Sequence, residues 1–146
     1  MSAKGRCEIA DLSITVANVA KGANAQIANG TAGGTITAGQ ALWLDATTGT
    51  LKATDPTFAG GTKAACVGIS LHGALSGQPL AYQTQGQITI GATVTVGEIY
   101  LVSKTATGLI MPVGDVVSTN YVTILGVAIS ATVINLAIQV TGIQHA

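Results

Sequence analysis

Apolar and polar residues alternate over most of the chain, and this pattern predicts short β-strands. The run from Ile134 to Val140 alternates large aliphatic residues with polar or small ones, the period of two that is typical of a strand with one buried face. Glycine-containing segments separate such runs at regular spacing, which favours an all-β fold, with at most a short helix near 17–25 or 118–121. The predicted strands are 41–45, 50–53, 64–71, 80–85 and 87–90 (two strands, or one continuous strand with a kink at Gly86), 99–103, 109–111, 121–129 and 133–141.

Three blocks of this pattern occur twice in the same order. The tetrapeptide at 37–40 returns at 95–98, and the V-G-I of 67–69 returns at the same spacing as the L-G-V of 125–127. The strand at 80–86 returns at 136–142, which is almost the same spacing. Such repetition predicts two homologous units, 35–90 and 93–143. We therefore expect one β domain, 35–146, built as a small barrel or sandwich from two pseudo-symmetric units.

Residues 1–34 lie outside the repeat, and we expect them to form an extended N-terminal arm. Leu12, Ile14 and Val16 alternate with polar residues, so this segment is suited to adding a strand to the sheet edge of a partner, and the three are candidate partner-binding residues. The Ala-, Asn- and Gly-rich stretch 17–34 favours an extended arm or long loop. Two alternatives stay open: 21–34 as a disordered linker, and 12–16 as the first strand of the β domain.

The chain contains few charged residues. Only 8% of its residues are charged and the formal net charge is zero, against roughly 25% charged residues in an average soluble domain. A surface with so few charges tends to associate, so we expect an oligomer or a part of an assembly. The six Lys and Arg residues are scattered, which argues against a nucleic-acid-binding surface.

The chain lacks the spacings typical of catalytic and metal sites. Its two histidines, His72 and His145, fall in a turn and next to the last residue, and its carboxylates follow no metal-binding or acid–base pattern. Cys7 and Cys66 have no zinc-type spacing, which leaves them free or joined in one disulfide. We expect no enzyme activity, no metal and no cofactor.

The segment from Tyr121 to Ile143 contains no charged residue and is long enough to span a membrane. Its alternation and its abundance of β-branched residues favour strands instead. The equivalent segment of the first unit is also too polar to span a membrane. The acidic residues Glu8 and Asp11 interrupt the apolar stretch that a signal peptide needs, so we expect neither a secretion signal nor a membrane partner.

The repeated blocks resemble a known family. A Gly-Gln or Gly-Glu opening at 39–40 and 97–98, a hydrophobic strand, a Gly hairpin, a V-G-I or L-G-V strand and a strand ending in Gly86 are similar to the capsid cement, or head decoration, proteins of tailed bacteriophages. The resemblance covers about 35–143. It implies a non-enzymatic β protein, made in the host cytoplasm, that binds the major capsid protein on the virion surface as a homotrimer or homodimer.

Other functions remain open from the sequence. A fibre, spike or collar protein of the virion would use the same β repeats. A lipoyl-type carrier domain would need a lysine in a defined hairpin turn, for which only Lys104 lies near a suitable position, and the chain is too long for that fold. The large apolar residues expected in the core or in a subunit interface are Trp43, Leu44, Ile69, Leu80, Tyr82, Ile99, Leu101, Val127, Leu136 and Ile138.

Overall fold

The computed structural model describes residues 12, 14–55, 62–103, 108–113 and 121–144, and within them the protein is all-β, as predicted. These residues form ten strands, separated by turns and by two single 3₁₀ turns, Val16–Asn18 and Thr62–Ala64. The strands are β1 (Val19–Lys21), β2 (Gln26–Thr31), β3 (Ala41–Asp45), β4 (Thr50–Ala53), β5 (Cys66–Ser70), β6 (Pro79–Ile90), β7 (Ile99–Val102), β8 (Ile110–Pro112), β9 (Tyr121–Ala128) and β10 (Val133–Gln144).

The strands form one curled antiparallel sheet in which the two halves of the chain have the same order. The order is β4-β3-β5-β6-β10-β9-β7-β8, so each half places its strands in the same sequence outward from the β6–β10 pair. β5 pairs with the first half of β6 and β10 with the second half, while β2 and β1 pair with the opposite edge. The curvature of this sheet encloses the core.

The predicted kink at Gly86 is present within a continuous β6. Gly86 has a φ of +90°, a conformation that side chains other than glycine rarely adopt. The buried side-chain amide of Gln83 donates to the carbonyl oxygens of Gln85 at 3.0 Å and Gln87 at 2.8 Å. These bonds hold the backbone on both sides of the kink, so β6 can change its neighbour from β5 to β10 at this point.

The first two repeated blocks are structurally equivalent at the predicted spacing. Leu42 pairs with Gly68 and Trp43 with Cys66, and the equivalent pairs of the second unit, Tyr100 with Gly126 and Leu101 with Ile124, repeat the same one-residue β-bulge. The opening turns match as well. Both Gly39 and Gly97 have a φ of +86°. The N–H of Gly39 donates to the carbonyl of Ser70, the last residue of β5, and the N–H of Gly97 donates to that of Ala128, the last residue of β9.

The third block is equivalent in a different register from the predicted one. Leu71 donates to the carbonyl of Ala81, whereas Ile129 donates to that of Val133. Ala81 therefore corresponds to Val133, although the repeated blocks predict that it corresponds to Ala137. The connection from β5 to β6 is longer than that from β9 to β10, and this difference shifts the register. Leu136 thus corresponds to Thr84 and not to Leu80.

The buried side chains form two clusters. The main cluster lies between the two halves and contains Ala41, Cys66, Ile69, Ile88, Ile90, Val94, Tyr100, Val102, Ile110, Leu125, Ala128, Ile134 and Leu136. The smaller cluster lies in the first half and contains Ala32, Ile36, Leu42, Leu51, Ala74 and Leu80. Of the predicted core residues, Leu44 and Ile99 are exposed, Tyr82, Val127 and Ile138 are half-buried, and the other five are buried.

The N-terminal segment differs from the predicted arm. Within 17–34, for which the sequence predicts an arm or long loop, β1 and β2 pair with the free edge of β6, because that edge offers unpaired backbone groups next to a Gly- and Asn-rich segment. The turn at 22–25 between them includes Asn24 at a φ of +59°. The strands β1 and β2 of this segment therefore belong to the sheet.

Candidate docking surfaces

The three predicted partner-binding residues have different surroundings. Leu12 and Ile14 are half-buried and pack against the main core, and the N–H of Leu12 donates to the carbonyl of Ile110 at 2.8 Å. Val16 begins a 3₁₀ turn, which ends the alternation, and its side chain is 51% exposed. Within this chain only Val16 of the three is open to a partner. Partner binding by these residues remains a prediction.

The segment from Ile14 to Val19 contacts both the end of β6 and the opening turn of the first unit at Gly39. The N–H of Thr15 donates to the carbonyl of Gly91 at 2.8 Å, at the end of β6. The Cγ2 atoms of Ile14 and Val19 lie 2.9 and 3.2 Å from the position that a Cβ of Gly39 would occupy. A glycine in the opening turn therefore lets these two side chains cover the first unit closely.

Several large aliphatic side chains remain exposed outside the core. Val96, Ile99 and Ile129 belong to the second unit, and Leu44 to the hairpin of the first unit. Single exposed aliphatic residues are ordinary in soluble proteins, whereas a group of them on one face indicates a contact surface. The exposed set is Val16, Ile27, Leu44, Leu75, Val96, Ile99, Val113, Ile129 and Val140.

Two titratable groups, His72 and Cys66, have surroundings that the structure defines closely. His72 is exposed, as expected, and its Nε2 accepts the N–H of Ala81 at 3.0 Å, so Nδ1 is the nitrogen that donates to the carbonyl of Gly73 at 2.9 Å. The histidine thereby closes the connection between β5 and β6. Burial raises the pKa of the Cys66 thiol to about 12, so the thiol is protonated and unreactive near neutral pH.

Asp45 and Lys52 form an ion pair across the β3–β4 hairpin. Nζ of Lys52 donates to Oδ2 of Asp45 at 2.7 Å, and this hydrogen bond holds the pKa of Asp45 below its ordinary value of 3.8. The N–H of Thr47 also donates to Asp45, at 3.0 Å, which fixes the turn. The pair stabilises the turn of this hairpin.

One open cleft beside the N-terminal segment lacks titratable side chains. An open cleft of about 700 Å³ is lined by Thr15, Ala17, Asn18, Ala20, Thr89, Gly91, Ala92, Thr93 and Thr132, among which no side chain titrates near neutral pH. Among the described residues, no three His, Cys, Asp or Glu side chains lie close enough together to hold a metal ion. In the same part of the chain, no helix is long and apolar enough to cross a membrane.

Comparison with models of protein families, with curated proteins and with solved structures found no match for this chain. The candidate surfaces are therefore assigned from the exposure and the contacts of this chain's own residues. Ile99 and Val127, which the sequence assigns to the core or to a subunit interface, are 40% exposed and half-buried in this chain.

Proposed function

We propose that the protein is a capsid cement, or head decoration, protein of a tailed bacteriophage. In this role it is a non-enzymatic virion component, made in the host cytoplasm, that binds the major capsid protein on the outer surface of the head. It bridges neighbouring capsomers and so resists their separation. The resemblance of the repeated blocks to that family gives the proposal its starting point.

The observation that carries the proposal is a chain with few charges and with large aliphatic side chains exposed on several different elements. Val16 lies on the N-terminal segment, Leu44 on the β3–β4 hairpin, and Ile99 and Ile129 on the second unit. Six positive and six negative residues are spread over 146 positions. A protein that bridges two capsomers needs at least two separate contact surfaces, and uncharged aliphatic surfaces suit close contact with neighbours.

Bridging turns modest contacts into strong attachment. A contact of standard size buries about 800 Å² on each partner. Once one surface has bound, the second binds as an intramolecular event at a high effective concentration, so many moderate contacts act together. This mechanism needs rigid spacing between the surfaces, which a sheet with a shared central pair, β6 and β10, supports.

The direct test is binding to phage heads that lack their decoration. Purified protein is mixed with such heads, the heads are sedimented, and bound protein and the temperature of head rupture are measured. The proposal predicts saturable binding and a higher rupture temperature. Absence of binding, or binding without any gain in head stability, would contradict it.

Variants of Val16 and of the N-terminal residues test how the segment contributes. Val16→Asp is expected to weaken head binding without changing the melting temperature, because the side chain is 51% exposed, and Val16→Leu is the control that retains binding. Deletion of 1–34 is not a clean test, since it removes β1 and β2. Deletion of 1–11 removes none of the described strands, and full binding by this variant would show that those residues do not contact the head.

A further inference from the structure

His72 supplies a side-chain acceptor where the end of β5 faces the start of β6, a contact that we name the β5–β6 corner. The N–H of Leu71 donates to the carbonyl of Ala81 at 3.1 Å, so these two residues face each other across the corner. In an antiparallel ladder the N–H of Ala81 would meet a backbone carbonyl of the facing strand. Here it donates to Nε2 of His72 at 3.0 Å instead. One hydrogen bond of the corner therefore depends on an imidazole ring.

Only the neutral ring can accept this hydrogen bond. Nδ1 of His72 donates to the carbonyl of Gly73 at 2.9 Å, which leaves Nε2 as the nitrogen with a free lone pair. Protonation places a hydrogen on Nε2, and this hydrogen would point at the N–H of Ala81. Both ring nitrogens are then donors, so the bond from Ala81 is lost while the bond to Gly73 is kept. Histidine is the side chain that ordinarily changes charge between about pH 8 and pH 5.

The surroundings of His72 contain no charge that could compensate for a proton on the ring. His72 lines a cleft together with residues of the N-terminal segment and of the opening turn of the first unit, which are Val16, Ala17, Val19, Thr37 and Ala38. The sequence has no Asp, Glu, Lys or Arg within 15–20, 35–40 or 70–84. Tyr82, the other titratable residue of these segments, packs against the smaller core cluster. A change in the charge of the ring is therefore the local event that mild acid causes at this corner.

The second unit forms the same corner with a side chain that does not titrate. At this corner the N–H of Ile129 donates to the carbonyl of Val133 at 3.0 Å, and the next residue, Ser130, stands where the first unit has His72. Oγ of Ser130 accepts a backbone N–H two residues further along, at 3.4 Å. A serine hydroxyl remains an acceptor in mild acid. The second unit therefore provides an internal control for the first.

We propose that His72 is a pH-sensitive switch: the neutral ring closes the β5–β6 corner, and the protonated ring opens it. The rest of the connection stays attached, because Ala74 exchanges two backbone hydrogen bonds with Ile36, at 2.8 and 2.9 Å. Opening therefore frees the ring and the N–H of Ala81 without unfolding the sheet. The cleft that changes is the one that Val16 also lines, so acid alters the surroundings of this exposed residue. The inference concerns this chain alone and does not depend on capsid binding.

The test is an NMR titration of the chain in a His145→Gln background, in which His72 is the only histidine. The ring signal and the Ala81 amide are followed from about pH 8 to pH 5, and hydrogen exchange, corrected for its intrinsic pH dependence, is measured at both ends. The ring and the amide are expected to change with one shared midpoint. Protection of the Ala81 amide should fall about three- to tenfold in acid, the size of one net hydrogen bond. Protection of the Ile129 amide should not change.

A variant without the ring provides the second arm of the test. His72→Ala changes an exposed side chain, and protection of the Ala81 amide in this variant should equal the acid value of the parent at both ends of the titration. The proposal is overturned if the Ala81 amide does not follow the ring, if its protection is equal at both ends, or if protection in His72→Ala still falls in acid. An equal loss at Ile129 would show that acid loosens the whole sheet, which also contradicts it. If His72→Ala does not fold, the titration of the parent decides alone.

Discussion

A single added methyl group tests whether the two units repeat the same close backbone approach. Gly68 in β5 and Gly126 in β9 occupy equivalent places beside the β-bulge. A Cβ at Gly68 would lie 2.7 Å from the carbonyl oxygen of Gln83, and a Cβ at Gly126 would meet the carbonyl oxygen of Asn135. Neither oxygen can move without disturbing the strand that carries it. Gly68→Ala and Gly126→Ala should therefore both destabilise the protein.

The expected loss follows from two opposing effects. Forcing a methyl group into a packed site costs about 1–3 kcal/mol of the free energy of unfolding. Alanine has fewer conformations than glycine in the unfolded chain, which by itself raises the free energy of unfolding by about 0.4–1 kcal/mol. A net loss of about 1–2 kcal/mol corresponds to a fall in melting temperature of roughly 3–8 °C for a domain of this size.

Thermal unfolding followed by circular dichroism measures the effect. Gly34→Ala is the matched control, since a Cβ there would meet no atom within 4 Å among the described residues, and it should not lower the melting temperature. The reasoning fails if neither alanine variant differs from this control. If Gly68→Ala lowers the melting temperature and Gly126→Ala does not, the two units share a strand register but not the same close packing at these glycines.

Three further predictions concern single groups. Ile134→Ala, at a core side chain that is 1% exposed, should lower the free energy of unfolding by about 2–5 kcal/mol in denaturant titration, and an unchanged midpoint would contradict the core assignment. In a Cys7→Ser background, Cys66 should resist a thiol reagent at pH 8 until the protein unfolds, because burial raises its pKa to about 12; rapid reaction of the folded protein would refute this. The Asp45 carboxyl should titrate below 3.8 by NMR and closer to 3.8 in Lys52→Met, so the stabilisation from this pair is present above that pH and is lost on further acidification; identical titration in both proteins would rule it out.

Local patterns are sufficient to predict the hairpins and the kink. The β3–β4 hairpin has the predicted bounds, because alternating residues flank the turn that ends in Gly49. The sequence predicts either two strands or one continuous strand with a kink at Gly86, and the structure has the continuous strand. The predicted register of the final strand is wrong for a physical reason. The two registers differ by an even number of positions, which leaves every side chain on its own face, so the apolar pattern fits both equally well.

Pairings distant in sequence could not be predicted. β2 contains Ala28, Asn29 and Gly30, which have low strand propensity, and it forms because the edge of β6 provides hydrogen-bond partners. The exposure of Ile99 could not be predicted either, because an apolar residue in a strand gives the same sequence pattern in a core and on a contact surface. Only the comparison of equivalent positions, Ala41 and Ile99, separates the two cases.

The measurement that tests the central claim most directly is the number of copies of this protein on each virus particle. Quantitative mass spectrometry of purified virions, combined with cryo-electron microscopy of the heads, provides both number and location. A cement protein is expected in many copies at repeated lattice positions on the outer surface of the head. A few copies confined to a tail, spike or collar, with threefold or sixfold symmetry, would contradict the cement function and favour another structural role.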